Sequence, residues 1–91
     1  MNEEKVKPSI EDNVFEDAYQ VAYLVMKGHK VTPMLLNQER KINEPARVAF
    51  RVEGDVAQDL EDFYNDEPVG ARSFVSHLKD IRSIIYNQKR K

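Results

Sequence analysis

Hydrophobic and polar positions follow two different rhythms along this chain. Between Ala18 and Met26 the apolar residues Ala18, Val21, Ala22, Val25 and Met26 recur every three or four positions. That is the rhythm of a helix with one buried face. Tyr19 and Tyr23, four apart, form an adjoining stripe. Asn13 is placed to cap this helix, and Gly28 follows it, the residue that ends helices at positive φ without strain. The pattern predicts helix one over residues 14–27. Lys30 to Leu36 leans toward strand, but Pro33 has no amide hydrogen for a ladder, so this strand belongs at a sheet edge or carries a bulge. Residues 37–45 are polar and read as a mobile connection. From Ala46 to Val52 the alternation has period two: Val48, Phe50 and Val52 face one way, Arg47, Ala49 and Arg51 the other. This second strand has one apolar face and one expected to be wet and basic.

The helical rhythm then returns. Asp55 can cap helix two, with Gln58 three residues on to complete a capping box. Val56, Leu60, Phe63 and Tyr64 make its inner stripe, and Pro68 stops it. Helix three is predicted from about Val69 to Asn87, with Ala71, Phe74, Leu78, Ile81 and Ile85 on one face. The order is α-β-β-α-α. It defines an α+β domain in which a two-stranded antiparallel hairpin is covered on one face by three helices, since a hairpin alone is marginal. Residues 1–12 are polar and expected to be disordered, residues 13–87 form the single domain, and residues 88–91 are a basic C-terminal tail.

Length adds a constraint. A chain of 91 residues buries only about 60–65% of the surface that its unfolded form exposes. A partner subunit would strengthen so small a core. The chain has no cysteine, which excludes disulfides, thiol nucleophiles and thiolate metal sites. Met1-Asn2-Glu3-Glu4-Lys5 lacks the basic flank and apolar run of a signal peptide. The longest apolar run, Val21 to Met26, is far short of the ~20 residues of a membrane span. The expectation is a cytoplasmic protein with no membrane partner.

Net charge is −2, but its distribution is uneven. Seven acidic residues and no basic one lie between Glu53 and Glu67. Six basic residues and one acidic, Asp80, lie between Val69 and Lys91. Such neighbouring blocks can neutralise each other within the fold or between subunits.

Candidate chemistry is sparse. His29 and His77 lack a third ligand at metal-binding spacing. Ser73 and Ser76 sit near His77, yet adjacency on a helix is not the geometry of an activated nucleophile. Gly28, Gly54 and Gly70 build no phosphate-cradling loop. No acidic residue is flanked by apolar neighbours that would make it a general acid. The sequence therefore predicts no enzyme, metal or cofactor. The strongest charged candidates are Arg47 and Arg51 on the strand, with Lys30 from the neighbouring strand and the tail residues Lys89, Arg90 and Lys91. These could contact DNA or RNA, although nucleic-acid sites usually add stacking aromatics. The plainer reading is a solvated face with cross-strand ion pairs.

The segments Asp17-x-Tyr19-x-x-Ala22-Tyr23-Leu24, Gly28-His29-x-Val31, Arg47-Val48-Ala49-Phe50-x-Val52-x-Gly54, Leu60-x-x-Phe63-Tyr64-Asn65 and Phe74-x-x-x-Leu78-x-x-Ile81-Arg82 resemble a family of small prokaryotic and phage-encoded domains of unknown function, the DUF5659 type. The resemblance spans about residues 14–87. It implies a small α+β domain and brings no activity, cofactor or catalytic residue. The function expected from the residues is a non-catalytic interaction module whose first partner is itself, as a homodimer built on Phe74, Leu78, Ile81 and Ile85. Another protein could also be the partner. The alternative is a small DNA- or RNA-binding accessory protein.

Overall fold

The computed structural model of the chain describes residues 13–39 and 41–90. The expected disorder of residues 1–12 and the last tail residue, Lys91, lie outside the described residues. The elements run β1 (Val14–Phe15), α1 (Ala18–Met26), β2 (Val31–Leu35), β3 (Val48–Val52), α2 (Ala57–Tyr64) and α3 (Ala71–Lys89). The architecture is α+β with three helices and one antiparallel sheet of three strands, in the order β1-β3-β2.

The sheet therefore has one strand more than the expected hairpin. Val14 pairs with Arg51 and Phe15 with Phe50, and the Val52 amide donates to the Asn13 carbonyl at 2.8 Å. Two paired residues are too short to show an alternation, so the period-three rhythm further on absorbs them into helix one. Helix α1 starts later than predicted because Asp17, not Asn13, is its cap. The Asp17 carboxylate accepts from the Tyr19 and Gln20 amides. Asn13 instead donates from its side chain to the Gly54 carbonyl at 2.7 Å, tying β1 to the end of β3.

β3 sits in the middle of the sheet, so its edge is not free to pair with a second copy along the whole strand. β2 is an edge, as the proline required. Its register sets Pro33 opposite Phe50, Met34 opposite Ala49 and Leu35 opposite Val48. The connection between β2 and β3 is closed by one side chain. Asn37 accepts from the Arg47 amide and donates to the Pro45 carbonyl, both at 2.8 Å.

All three helices cover one face of the sheet. Val21 and Ala22 of α1, Val48 and Phe50 of β3 and Ile81 of α3 form the main buried cluster. A second one joins Leu24, Val52 and Val56, with Leu60 of α2 against it. The other face is less wet than expected. Ala49 is fully buried there, and Arg51 is only half-exposed.

α2 departs most from its pattern. Asp55 does accept from the Ala57 amide at 3.0 Å. No reciprocal capping-box bond forms, because the Gln58 side chain donates to Asp62 at 2.9 Å instead. None of its residues is fully buried. α3 extends through Lys89, with Arg90 as its cap. The start of the basic tail is thus the last turn of a helix, where positive charge suits the dipole.

Phe50 is fully buried at the middle of the central strand. Phe50→Ala is expected to cost about 3–5 kcal/mol, a large share of the ~5–10 kcal/mol that holds a domain of this size. Urea unfolding checks it; a variant that melts within a few degrees of the parent contradicts the packing described.

Candidate functional site

The cations expected to share a strand face do not form one patch. Arg47 lies just before β3, and its Nε and Nη2 donate to the two carboxylate oxygens of Glu16 at 2.9 and 3.0 Å. These hydrogen bonds, with the guanidinium charge, hold the Glu16 carboxyl below the usual carboxylate range and raise Arg47 above its ordinary value. A carboxyl lowered in the folded state stabilises the fold above its unfolded value, and that contribution is lost as pH falls through the lowered one. Both side chains are about half-exposed, so solvent keeps it small. Arg51 stands between Val14 and Thr32, and its buried Nε has no hydrogen-bond partner among the described residues. Lys30 is exposed beside β2. Lys89 and Arg90 end α3, in the helical layer, with Arg90 5.5 Å over the Tyr86 ring.

The apolar stripe proposed for self-association is engaged inside the protomer. Ile81 is buried in the main cluster, and Phe74, Leu78 and Ile85 pack against it. Another part of the helical layer is aromatic. Tyr19 of α1 stacks on Phe74 of α3, centroids 6.5 Å apart. Tyr23 of α1 meets the edge of Phe63 of α2 at 5.4 Å, and Phe63 meets Tyr64 at 5.5 Å. The Gln20 side chain donates to the Tyr64 hydroxyl. Arg82 donates to the Tyr19 hydroxyl at 2.8 Å, with its guanidinium 5.4 Å from the same ring.

Among these rings lies a cavity of about 220 Å³, lined by Tyr23, Phe63, Asp66, Glu67, Val69 and Phe74. Its acidic rim comes from the turn that ends α2. The Asp66 amide donates to the Phe63 carbonyl at 3.1 Å and the Glu67 amide to the Asp62 carbonyl at 3.0 Å. Asp66 takes φ 65°, the left-handed region that aspartate tolerates better than most residues. Sequence periodicity placed Phe63 and Tyr64 on an inner stripe, but Tyr64 is 71% exposed. The signal that could have shown the site is the density of aromatics within three neighbouring helices rather than any one motif.

His29 is the other polar centre. Its Nδ1 lies 2.8 Å from the Glu53 carbonyl and its Nε2 2.7 Å from the Asp59 carboxylate. A carbonyl only accepts, so Nδ1 carries a hydrogen. With both nitrogens committed, the ring is a pin joining the end of α1, the turn after β3 and α2; it has no nitrogen left to take a proton from a substrate. Gly54 lies beside the ring at φ +95°, the left-handed region that favours glycine, and a Cβ there would meet Nδ1 at 3.4 Å. His77 is also locally occupied, its Nδ1 2.8 Å from the Ser73 carbonyl. Among the described residues no cluster of three His, Asp or Glu side chains could hold a metal, and no helix is long and apolar enough to cross a membrane.

No family model matches the chain, and no curated protein or solved structure is significantly similar to it.

The pin makes a prediction about α2, none of whose residues is fully buried. His29→Ala is expected to lower stability by about 1–2 kcal/mol and to speed amide exchange in α2 more than in β3. Urea unfolding with hydrogen exchange tests both; unchanged exchange in α2 would show that Leu60, Phe63 and Tyr64 anchor the helix without the pin.

Proposed function

We propose that this chain is a small non-catalytic protein-interaction module that works through its helical face and associates with a second copy of itself. The observation that carries the reading is the exposed aromatic and aliphatic patch around the cavity. Val69 lines the cavity, Tyr19 stacks on its Phe74 and Tyr64 meets its Phe63, and all three are exposed. Apolar surface gathered in one place and rimmed by charge marks an interaction site, and tyrosine suits such sites because it packs and hydrogen-bonds at once. The charge blocks support a second copy as the partner. In a two-fold contact each acidic region around α2 can meet the basic end of the other α3. The cysteine-free composition fits the cytoplasm, and a prokaryotic or phage origin follows from the family resemblance alone.

A second reading, a small DNA- or RNA-binding accessory protein, has one observation in its favour. Lys79, Arg82 and Tyr86 share a shallow exposed depression on α3, with Arg90 over the Tyr86 ring. That pairing of cations with a ring is what single-stranded nucleic acid uses. Lys30, Arg47 and Arg51 contribute less, since Arg47 is already paired.

Sedimentation equilibrium at micromolar concentration is expected to give a mass rising toward twice 10.6 kDa. Replacing Tyr64 and Val69 together by alanine is expected to weaken association about tenfold or more. A single species of 10.6 kDa, unchanged up to about a hundred micromolar, would end the self-association reading. A heparin or nucleic-acid gel shift at two salt concentrations addresses the second reading, whose signature is affinity that falls steeply with salt.

A further inference from the structure

We infer that the cavity between α1, α2 and α3 is a receptor for a cationic side-chain head, an alkylammonium or guanidinium, and that a second copy supplies it from the basic last turn of its α3. The inference rests on the interaction-module reading and names the contact at its centre.

Three features of the cavity point to a cation. Its walls are aromatic: Tyr23, Phe63 and Phe74 line it together with Val69, and ring faces attract cations through their quadrupoles. Its rim carries the carboxylates of Asp66 and Glu67, and among the described residues neither is in an ion pair. Both follow directly on the C-terminus of α2, which ends at Tyr64. That is the negative end of the helix dipole, where acidic groups are unfavourable and a cation is welcome. The third feature is Tyr23, which lines the cavity although it is otherwise buried. The chain itself shows that this ring accepts a cation: Lys27 Nζ stands 5.3 Å from the Tyr23 centroid. Lys27 is not among the lining residues, so the cavity stays open to another.

The supply follows from charge and length. α3 has 19 residues and spans about 28 Å at ~1.5 Å per residue. Phe74, near its start, borders the cavity, and Lys89 and Arg90 close its far end. Two α3 helices packed antiparallel about a two-fold axis near Lys79 and Asp80 set the start of each beside the end of the other. Lys89 or Arg90 of one copy then reaches the cavity of its partner, twice per dimer.

The test has two arms. In the first, n-butylammonium and n-butylguanidinium chlorides are titrated into labelled protein and followed by NMR, with 1-pentanol as the neutral control of similar size and sodium chloride as the ionic one. Saturable shifts at Tyr23, Phe63 and Phe74 with the cations, and at least several-fold weaker ones with pentanol, are expected. Equal response to pentanol, or none to the cations, overturns the cation site. In the second, Asp66→Asn/Glu67→Lys and Lys89→Glu/Arg90→Glu variants are each expected to associate about tenfold more weakly than the parent, and their mixture to recover a heterodimer within about threefold of it. Asparagine keeps the left-handed backbone available, and unchanged spectra elsewhere show that both variants fold. A mixture no better than either variant overturns the second copy as the source. A parent that dimerises without any response to butylammonium removes the cation site while leaving the interaction module standing. A monomeric parent that binds butylammonium keeps the cavity and removes self-association.

Discussion

The burial of Phe50 between the sheet and α1 is the contact on which the other elements depend. Phe50 is the central residue of the central strand. It shares a cluster with Val21 and Ala22 of α1 and Ile81 of α3. Small residues on α1 let the helix lie close to the strand, so the large ring fills the space that they leave. Phe15 from β1 and Pro33 from β2 flank it across the sheet. α3 then closes the layer through the stripe around Ile81. α2 is the exception, since it meets this core at its margin, through Leu60 beside Val52 and Val56 and Phe63 against Tyr23. The His29 pin adds to that hold. The helix with the weakest hold on the core is therefore the one that presents Phe63, Tyr64 and the acidic turn.

Much of this layout is legible in the residues. The alternation of Val48, Phe50 and Val52 marks the core face of β3, and their burial agrees with it. Pro33 marks an edge or bulged strand because it has no donor for a ladder, and β2 is the edge. Gly28, at φ 99°, ends the first helical run. What stays hidden is the third strand. A two-residue strand has no period, and its partner Arg51 lies far along the chain, so only tertiary pairing reveals it. The cap shows the same competition: Asn13 and Asp17 are both good caps, and the choice is made by the sheet, which takes Asn13 for its own hydrogen bonds.

The site is less legible for a related reason. Charge read along the chain groups Arg47 with Arg51, whereas folding gives Arg47 to Glu16, 31 positions away. A row of cations in sequence thus becomes one neutralised pair and one half-buried guanidinium. The stripe Phe74, Leu78, Ile81 and Ile85 is correctly apolar, but a stripe does not say whether its cover comes from the same chain. Here α1 and the sheet provide it. The aromatic patch is assembled from α1, α2 and α3, each giving one or two rings, and no single periodicity announces a surface built that way.

The turn at the end of α2 is where local stability and the proposed role part company. A helix C-terminus favours lysine or arginine, yet this one is followed by Asp66 and Glu67. A residue at φ 65° favours glycine, yet Asp66 occupies that position. Each choice costs the isolated fold a little, and neither improves the packing, because both side chains are exposed. Together they do one thing: they set two carboxylates at the mouth of a ring-lined cavity, on the negative end of a dipole. Local rules broken jointly at one place are the usual mark of a working site. The basic last turn of α3 obeys the same electrostatic rule that the α2 turn breaks. The molecule therefore carries a relaxed cationic end and an unrelieved anionic one, and the proposed contact between two copies would satisfy both.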